Sequence, residues 1–123
     1  MTAIKGVVVG HAGLAAALIT AAEQISGPDS GLVAISNTDC DRGTLEERIV
    51  AAATPGPTLV FIDMPSGSCH FAAMRRIQTM TDVRVVTGVN LAMLLEFVFH
   101  REEPLDEVAK HIAEVGARAV VAR

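Results

Sequence analysis

Short apolar runs alternating with longer stretches of helical period constrain this chain more than any other feature. The runs lie near residues 4–9, 32–36, 58–62, 83–87 and 117–122, and helical patterns fill the intervals near 13–25, 45–53, 69–79, 91–100 and 105–115. Runs of about five apolar residues suit strands buried on both faces, and helices between them make βαβ units with a mostly parallel sheet. The expected fold is α/β, a three-layer sandwich with helices on both faces of that sheet.

Local chemistry marks several boundaries. Thr44 and Glu47 make a T-x-x-E capping box, Pro55-Gly56-Pro57 stops the second helix, Ser68 and Asn90 are N-cap types, and Pro104 suits a first helical position. At 123 residues the chain fits one domain, residues 1–123, with no linker, repeat or low-complexity tract. The fourth helical segment is apolar on more than one face: Leu91, Met93, Leu94, Leu95, Phe97, Val98 and Phe99. It packs either against a partner subunit or deep in its own core.

Composition then removes whole classes of function. A net charge of -4 lacks the electrostatic footprint of a nucleic-acid binder, and the four aromatics are all Phe, so stacking platforms for single strands are missing too. The same lack of Trp and Tyr disfavours a flavin site. The apolar runs are far shorter than the ~20 residues that span a bilayer. Lys5 is followed by only three apolar residues before Gly10-His11, which is no signal peptide, and Cys40 and Cys69 stand alone. A cytoplasmic, reduced protein is expected.

Three junctions carry chemistry. His11 closes the run Gly6-Val7-Val8-Val9-Gly10 and precedes the first helix, so it falls at the carboxyl edge of a parallel sheet, where ligands bind. Gly10 and Gly13 leave room for backbone N–H groups beside an anion, and the helix start adds a favourable dipole. Asp63 ends the most apolar strand and falls on the same edge, close enough to accept Nδ1–H of the imidazole and leave Nε2 as the nucleophile. Ser66-Gly67-Ser68-Cys69-His70 opens a helix with hydroxyls and backbone donors, a second anion-binding rim. A turn-satisfying histidine, a solvated strand-end acid and an ordinary capped helix are the plain alternatives.

Other chemistries fit less well. No His or Cys pair has H-x-x-x-H or C-x-x-C spacing, and the Gly6, Gly10, Gly13 spacing misses the dinucleotide fingerprint, so neither metal nor cofactor is expected. Cys69 reads as an inert thiol, and His100 and His111 as surface or helix-end residues.

Taken together, Gly10-His11, Asp63 with Gly67-Ser68, and Gly88-Val89-Asn90-Leu91-Ala92-Met93-Leu94 resemble the IIA component of the mannose family of the bacterial phosphoenolpyruvate-dependent sugar phosphotransferase system. The resemblance implies a phosphotransferase without metal or cofactor. In it His11 takes a phosphoryl group from phosphorylated HPr and passes it to a IIB acceptor. Asp63 is then the orienting partner, Ser68 a donor to the phosphoryl oxygens, and Gly10, Gly13 and Gly67 part of the phosphoryl cradle. It further implies a homodimer that exchanges an antiparallel last strand, Ala117 to Arg123, and reaches the membrane only through a transporter complex. Two stretches depart from the family pattern: Ser66-Gly67-Ser68-Cys69-His70-Phe71 stands where Gly-Gly-Ser-Pro followed by Phe-Asn is usual, and Ala92 stands where Pro is usual. A phosphorylation-responsive regulatory dimer without transport flux is the other function these residues allow.

Overall fold

Strand β1 (Lys5–Gly10) lies between β2 (Leu32–Ser36) and β3 (Thr58–Ile62), and β4 (Val83–Thr87) pairs with the far side of β3. All three pairings are parallel, giving the order β2-β1-β3-β4. These features come from a computed structural model, which describes residues 2–123. Helices α1 (Leu14–Ser26), α4 (Leu91–Val98) and α5 (Leu105–Arg118) cover one face of the sheet; α2 (Arg42–Ala52) and α3 (Gly67–Ile77) cover the other.

The pleat explains the unbroken apolar runs. Val8, Leu59, Phe61 and Val86 point towards α1, α4 and α5, whereas Val7, Val9, Val60 and Ile62 point towards α2 and α3. Every residue of β3 is buried. Phe61 meets Phe97 of α4 edge-to-face, with ring centroids 5.3 Å apart, a geometry that adds about 0.5–1.5 kcal/mol to the area buried. Where α4 crosses α5, Gly116 leaves space for Met93; a Cβ there would collide with the thioether. Among the described residues, no helix is long and apolar enough to cross a membrane.

Several local expectations need correction. The second helix begins at Arg42, ahead of the expected 45, and its N-cap is Asp41, whose carboxylate accepts the Thr44 N–H at 2.8 Å. That bond holds the Asp41 carboxyl below its usual range. Glu47 is therefore free of a capping box and pairs with Arg76 of α3 at 2.6 Å. Ser68 is not a cap but the second residue of α3, with Ser66 at the cap position, and Pro104 caps α5 instead of opening it. Asn90 caps α4 as expected, accepting from Met93 N–H at 3.0 Å.

The end of the chain differs most. Residues 117–122 do not form a strand: α5 continues through Arg118, and the segment beyond it is exposed and unpaired in the single chain. Its short apolar run, Ala119-Val120-Val121-Ala122, is as compatible with a final helical turn as with a strand, and only a neighbouring sheet edge could select the latter. The four-stranded sheet is therefore wholly parallel among the described residues. Of the apolar residues of the fourth segment, Met93, Leu94 and Phe97 are buried in the core shared with α1 and α5, Leu91 and Leu95 pack partly against it, and Phe99, just past the helix, is exposed.

Candidate functional site

In this strand order the chain leaves β1 to one side for β2 and then returns to the other side for β3, so a crevice opens at the carboxyl ends of β1 and β3. The register pairs Val9 with Ile62, which sets the next residues, Gly10 and Asp63, side by side. Asp63 N–H still donates to Val9 O, at 3.2 Å, so its backbone is anchored by the sheet. His11 follows one residue later.

The two side chains meet directly. Asp63 Oδ2 accepts from the His11 backbone N–H at 3.0 Å and lies 2.6 Å from Nδ1, so one carboxylate oxygen fixes both the main chain and the ring. The acid is buried while the imidazole is 39% exposed, so this pair presents a ring edge to solvent and hides its partner. Among the described residues, Asp63 Oδ1 is buried without a hydrogen-bond partner. A carboxylate accepts only, so Nδ1 carries the proton and Nε2 the free lone pair. Ser68 Oγ stands 3.3 Å from Nε2 and donates its O–H there.

The α3 start closes one side of the crevice. Gly67 has φ +92°, and a Cβ there would be strained and would stand 3.8 Å from His11 Cε1. Ser66 makes no side-chain cap bond, leaving the first N–H groups of α3 open next to Nε2, where a helix terminus favours an anion. Gly10 lies behind the ring, where a Cβ would sit 3.7 Å from Asp63 Oδ2, and Gly13 caps α1 in open space.

Two residues that the sequence reading did not single out complete the turn. Ala12 has φ +52°, a conformation costing a non-glycine residue about 1–3 kcal/mol. It is held by its N–H donating to Asn37 Oδ1 at 3.2 Å and its carbonyl accepting from Ser36 Oγ at 2.7 Å. Both partners come from the carboxyl end of β2 and the turn after it. Their signal was a Ser-Asn pair at the strand edge adjoining the strand-order reversal, legible only once β2 is known to neighbour β1.

Cys69, on α3, is buried with Sγ 3.7 Å from His11 Nδ1. Burial, and then the nearby Asp63 charge, push its thiol up to about 11, so it stays protonated and packs as a small apolar group. His11, Asp63 and Cys69 bring ligand-type atoms within 4.8 Å of one another. With Nδ1 committed to Asp63 and the thiol kept neutral, that trio suits proton-holding better than metal binding. Outside it, Leu14, Met64, Phe71 and Met74 form an exposed apolar border, and the Arg42 guanidinium covers the Phe71 ring at 4.4 Å.

The third motif does other work. Val89 N–H extends the ladder to Ile62 O at 3.0 Å, and Asn90 Nδ2 donates to Gly116 O at 3.2 Å, tying α4 to α5. His100 and His111 are not isolated surface residues: both reach Glu96, a meeting that no spacing motif signals because the α4–α5 hairpin creates it.

Comparison with known proteins agrees with this geometry. Over 99% of its length the chain is similar to the mannose/sorbose-specific IIA subunit of the phosphotransferase system from Enterococcus faecalis, with 28% identity, a TM-score of 0.85 and 96% of that chain covered. A phosphotransferase system component EIIA from Streptococcus agalactiae shares the fold at 22% identity and a TM-score of 0.89, covering 97% of this chain and 96% of that one. No protein of curated function matches the chain. The family model for the PTS system fructose IIA component matches residues 5–113, and the chain belongs to that family.

Proposed function

We propose that this IIA-family protein carries a phosphoryl group on His11 Nε2, accepting it from the phosphohistidine of an HPr-like donor and delivering it to a histidine-type IIB acceptor. One observation carries the reading: Nδ1 is bound to a buried carboxylate at 2.6 Å while Nε2 faces an exposed, donor-lined crevice. Membership of the family supports a phosphocarrier role in sugar phosphotransfer, and the 28%-identical relative is named a IIA subunit of that system.

The step is an in-line displacement. The Nε2 lone pair attacks phosphorus, the P–N bond of the donor breaks, and the bonding pair leaves with the donor imidazole. Positive charge then developing on His11 is offset by Asp63, which keeps the Nδ1 proton in a charge-assisted hydrogen bond. Ser68 O–H, freed from Nε2, turns to a phosphoryl oxygen, and the open N–H groups at the α3 start receive the others. Reversal of the same step, with the IIB imidazole as nucleophile, delivers the group onward. The exposed Leu14, Met64, Phe71 and Met74 supply the apolar surface against which both partners dock in turn.

The proposal includes a homodimer in the cytoplasm, formed when the exposed Val120-Val121 tail pairs with the open edge of a second sheet. Sedimentation of the full chain against a variant truncated at residue 118 tests it: a dimer that becomes a monomer is the expected result. The reaction itself is tested with phosphoenolpyruvate, Enzyme I and HPr, followed by intact mass. Gain of one acid-labile phosphate is expected. Transfer onward to a IIB domain separates a transport carrier from a regulatory dimer that only holds the group.

A further inference from the structure

At the opposite end of the sheet from His11, three ligand-type side chains converge on one point. Arg101 lies at the amino end of β1, where its carbonyl accepts from Ile4 N–H at 2.8 Å, and the cluster sits beside it. Glu96 comes from α4, His100 from the turn that follows, and His111 from the middle of α5. His100 Nε2 is 2.9 Å and His111 Nε2 3.1 Å from the same oxygen, Glu96 Oε1, and the two rings are 5.0 Å apart between centroids. All three ligand atoms lie within 4.8 Å of one another. On its other side His100 Nδ1 is 2.5 Å from Glu103 Oε2.

From this juxtaposition we propose that Glu96, His100 and His111 bind one divalent transition-metal ion, Zn2+ foremost, which fastens α4 to α5. Four features point to a metal. Two imidazole nitrogens and one carboxylate oxygen form a donor set that suits zinc, copper or nickel over magnesium or calcium. Their spacings of 2.9 and 3.1 Å approach the separation of about 3.3 Å between ligands of a tetrahedral ion with bonds of about 2.0–2.1 Å. Glu103 accepts from the Nδ1–H of His100, fixing the tautomer whose Nε2 faces the ion, an acid–imidazole–metal relay that raises ligand basicity. Finally, the three ligand side chains are each about one-third exposed, so a fourth position opens to water. Without a metal, His100 satisfies both carboxylates only as a cation, with both nitrogens donating. A divalent ion takes the place of the Nε2 proton and sets positive charge between the same partners.

The test uses the full chain freed of metal by chelation and titrated with Zn2+ by calorimetry, with thermal melting in parallel. One equivalent should bind, and melting temperature should rise with Zn2+ concentration. His111→Ala should lose both effects while keeping its circular dichroism; should that variant unfold, His111→Gln serves instead. Glu103→Gln should bind about 10–100-fold more weakly, since it removes the partner of a ligand and not a ligand. His11→Ala with Cys69→Ser should bind as the unaltered chain does. Co2+ gives a second readout: visible ligand-field bands without the near-ultraviolet thiolate band that a site at Cys69 would produce. Absence of saturable binding, binding undiminished in the His111 variant, or loss of binding in the His11/Cys69 variant would each overturn the proposal, the first leaving only a protonated imidazole pin.

Discussion

Two imidazole–carboxylate arrangements stand at opposite ends of one sheet, and they differ in what each ring has left to offer. In the first, Asp63 is buried, takes one nitrogen of His11, and leaves the other towards solvent beside Ser68. In the second, half-buried Glu96 and exposed Glu103 between them occupy both nitrogens of His100, while His111 spends its Nε2 on Glu96 as well. The hydrogen bond that His100 donates to Glu103, and more weakly that to Glu96, raises the pKa of His100, and the bond from His111 leads in lowering that of Glu96. A short contact to an acid does not by itself make a nucleophile. In the proposed reading the nucleophile is the lone pair that His11 keeps on Nε2, held only by the Ser68 hydroxyl at the exposed side of the ring.

The sharpest way to break this contrast is to exchange the losses. His11→Ala should abolish acid-labile phosphorylation in the Enzyme I and HPr assay, whereas His100→Ala and His111→Ala should incorporate one phosphate as the unaltered chain does. Label persisting in the His11 variant would remove the basis of the contrast. Next in size, Asp63→Asn keeps the side-chain volume but offers the ring an amide, so tautomer control and charge compensation are both lost. Transfer should slow by about two to four orders of magnitude with circular dichroism unchanged. Glu96→Gln, the matching change at the other end, should leave the single-turnover rate where it was.

How much of this was legible beforehand follows from how local each signal is. Strands at 32–36, 58–62 and 83–87 match the apolar runs residue for residue: central β3 is buried on both faces, while β2 and β4, at the sheet edges and only partly buried, still carry short Val-rich or Ile-containing runs that suit strands. The juxtaposition of His11 and Asp63 was legible too, as both end strands that a doubly wound sheet sets side by side. Asn37 and Ser36 were not, since their task is to hold Ala12 in a left-handed turn that no sequence pattern announces. The Thr44–Glu47 box failed because Asp41 competes for the same Thr44 N–H. Residues 117–122 read as a strand on a short apolar run alone, and a run of Ala and Val that short does not tell a strand from the end of a helix.

Smaller effects sharpen the comparison at each end. Ser68→Ala removes one hydroxyl donor from the phosphoryl oxygens, and a hydrogen bond to a charged group contributes about 1.5–3 kcal/mol, so phosphoryl transfer should fall by roughly 10–100-fold. At the other end Gly116→Ala forces a methyl group against Met93 and should cost about 1–3 kcal/mol of stability, read as a lower denaturant midpoint with the single-turnover phosphorylation rate retained. One substitution touches rate and the other stability. Reversed outcomes would mean that the α4–α5 seam and the crevice are coupled.

The smallest expected effect concerns Cys69, the residue where this chain leaves the usual proline. Its sulfur is 3.7 Å from His11 Nδ1, near enough to compete with Asp63 for the ring proton were it ionised. Burial and the Asp63 charge push the thiol up to about 11, so at pH 8 it remains neutral and the competition does not arise. The sign follows from the raised value: the thiol's contribution to stability is complete below the unfolded-chain pKa near 9.0 and is lost as pH climbs towards 11. Iodoacetamide at pH 8 should therefore modify half-buried Cys40 well before buried Cys69, resolved by peptide mass, and Cys69→Ala should leave phosphorylation at pH 7.5 unchanged. Rapid labelling of Cys69 in the folded protein would show an ionised sulfur beside the ring, and the tautomer of His11 would then be set by two anions instead of one.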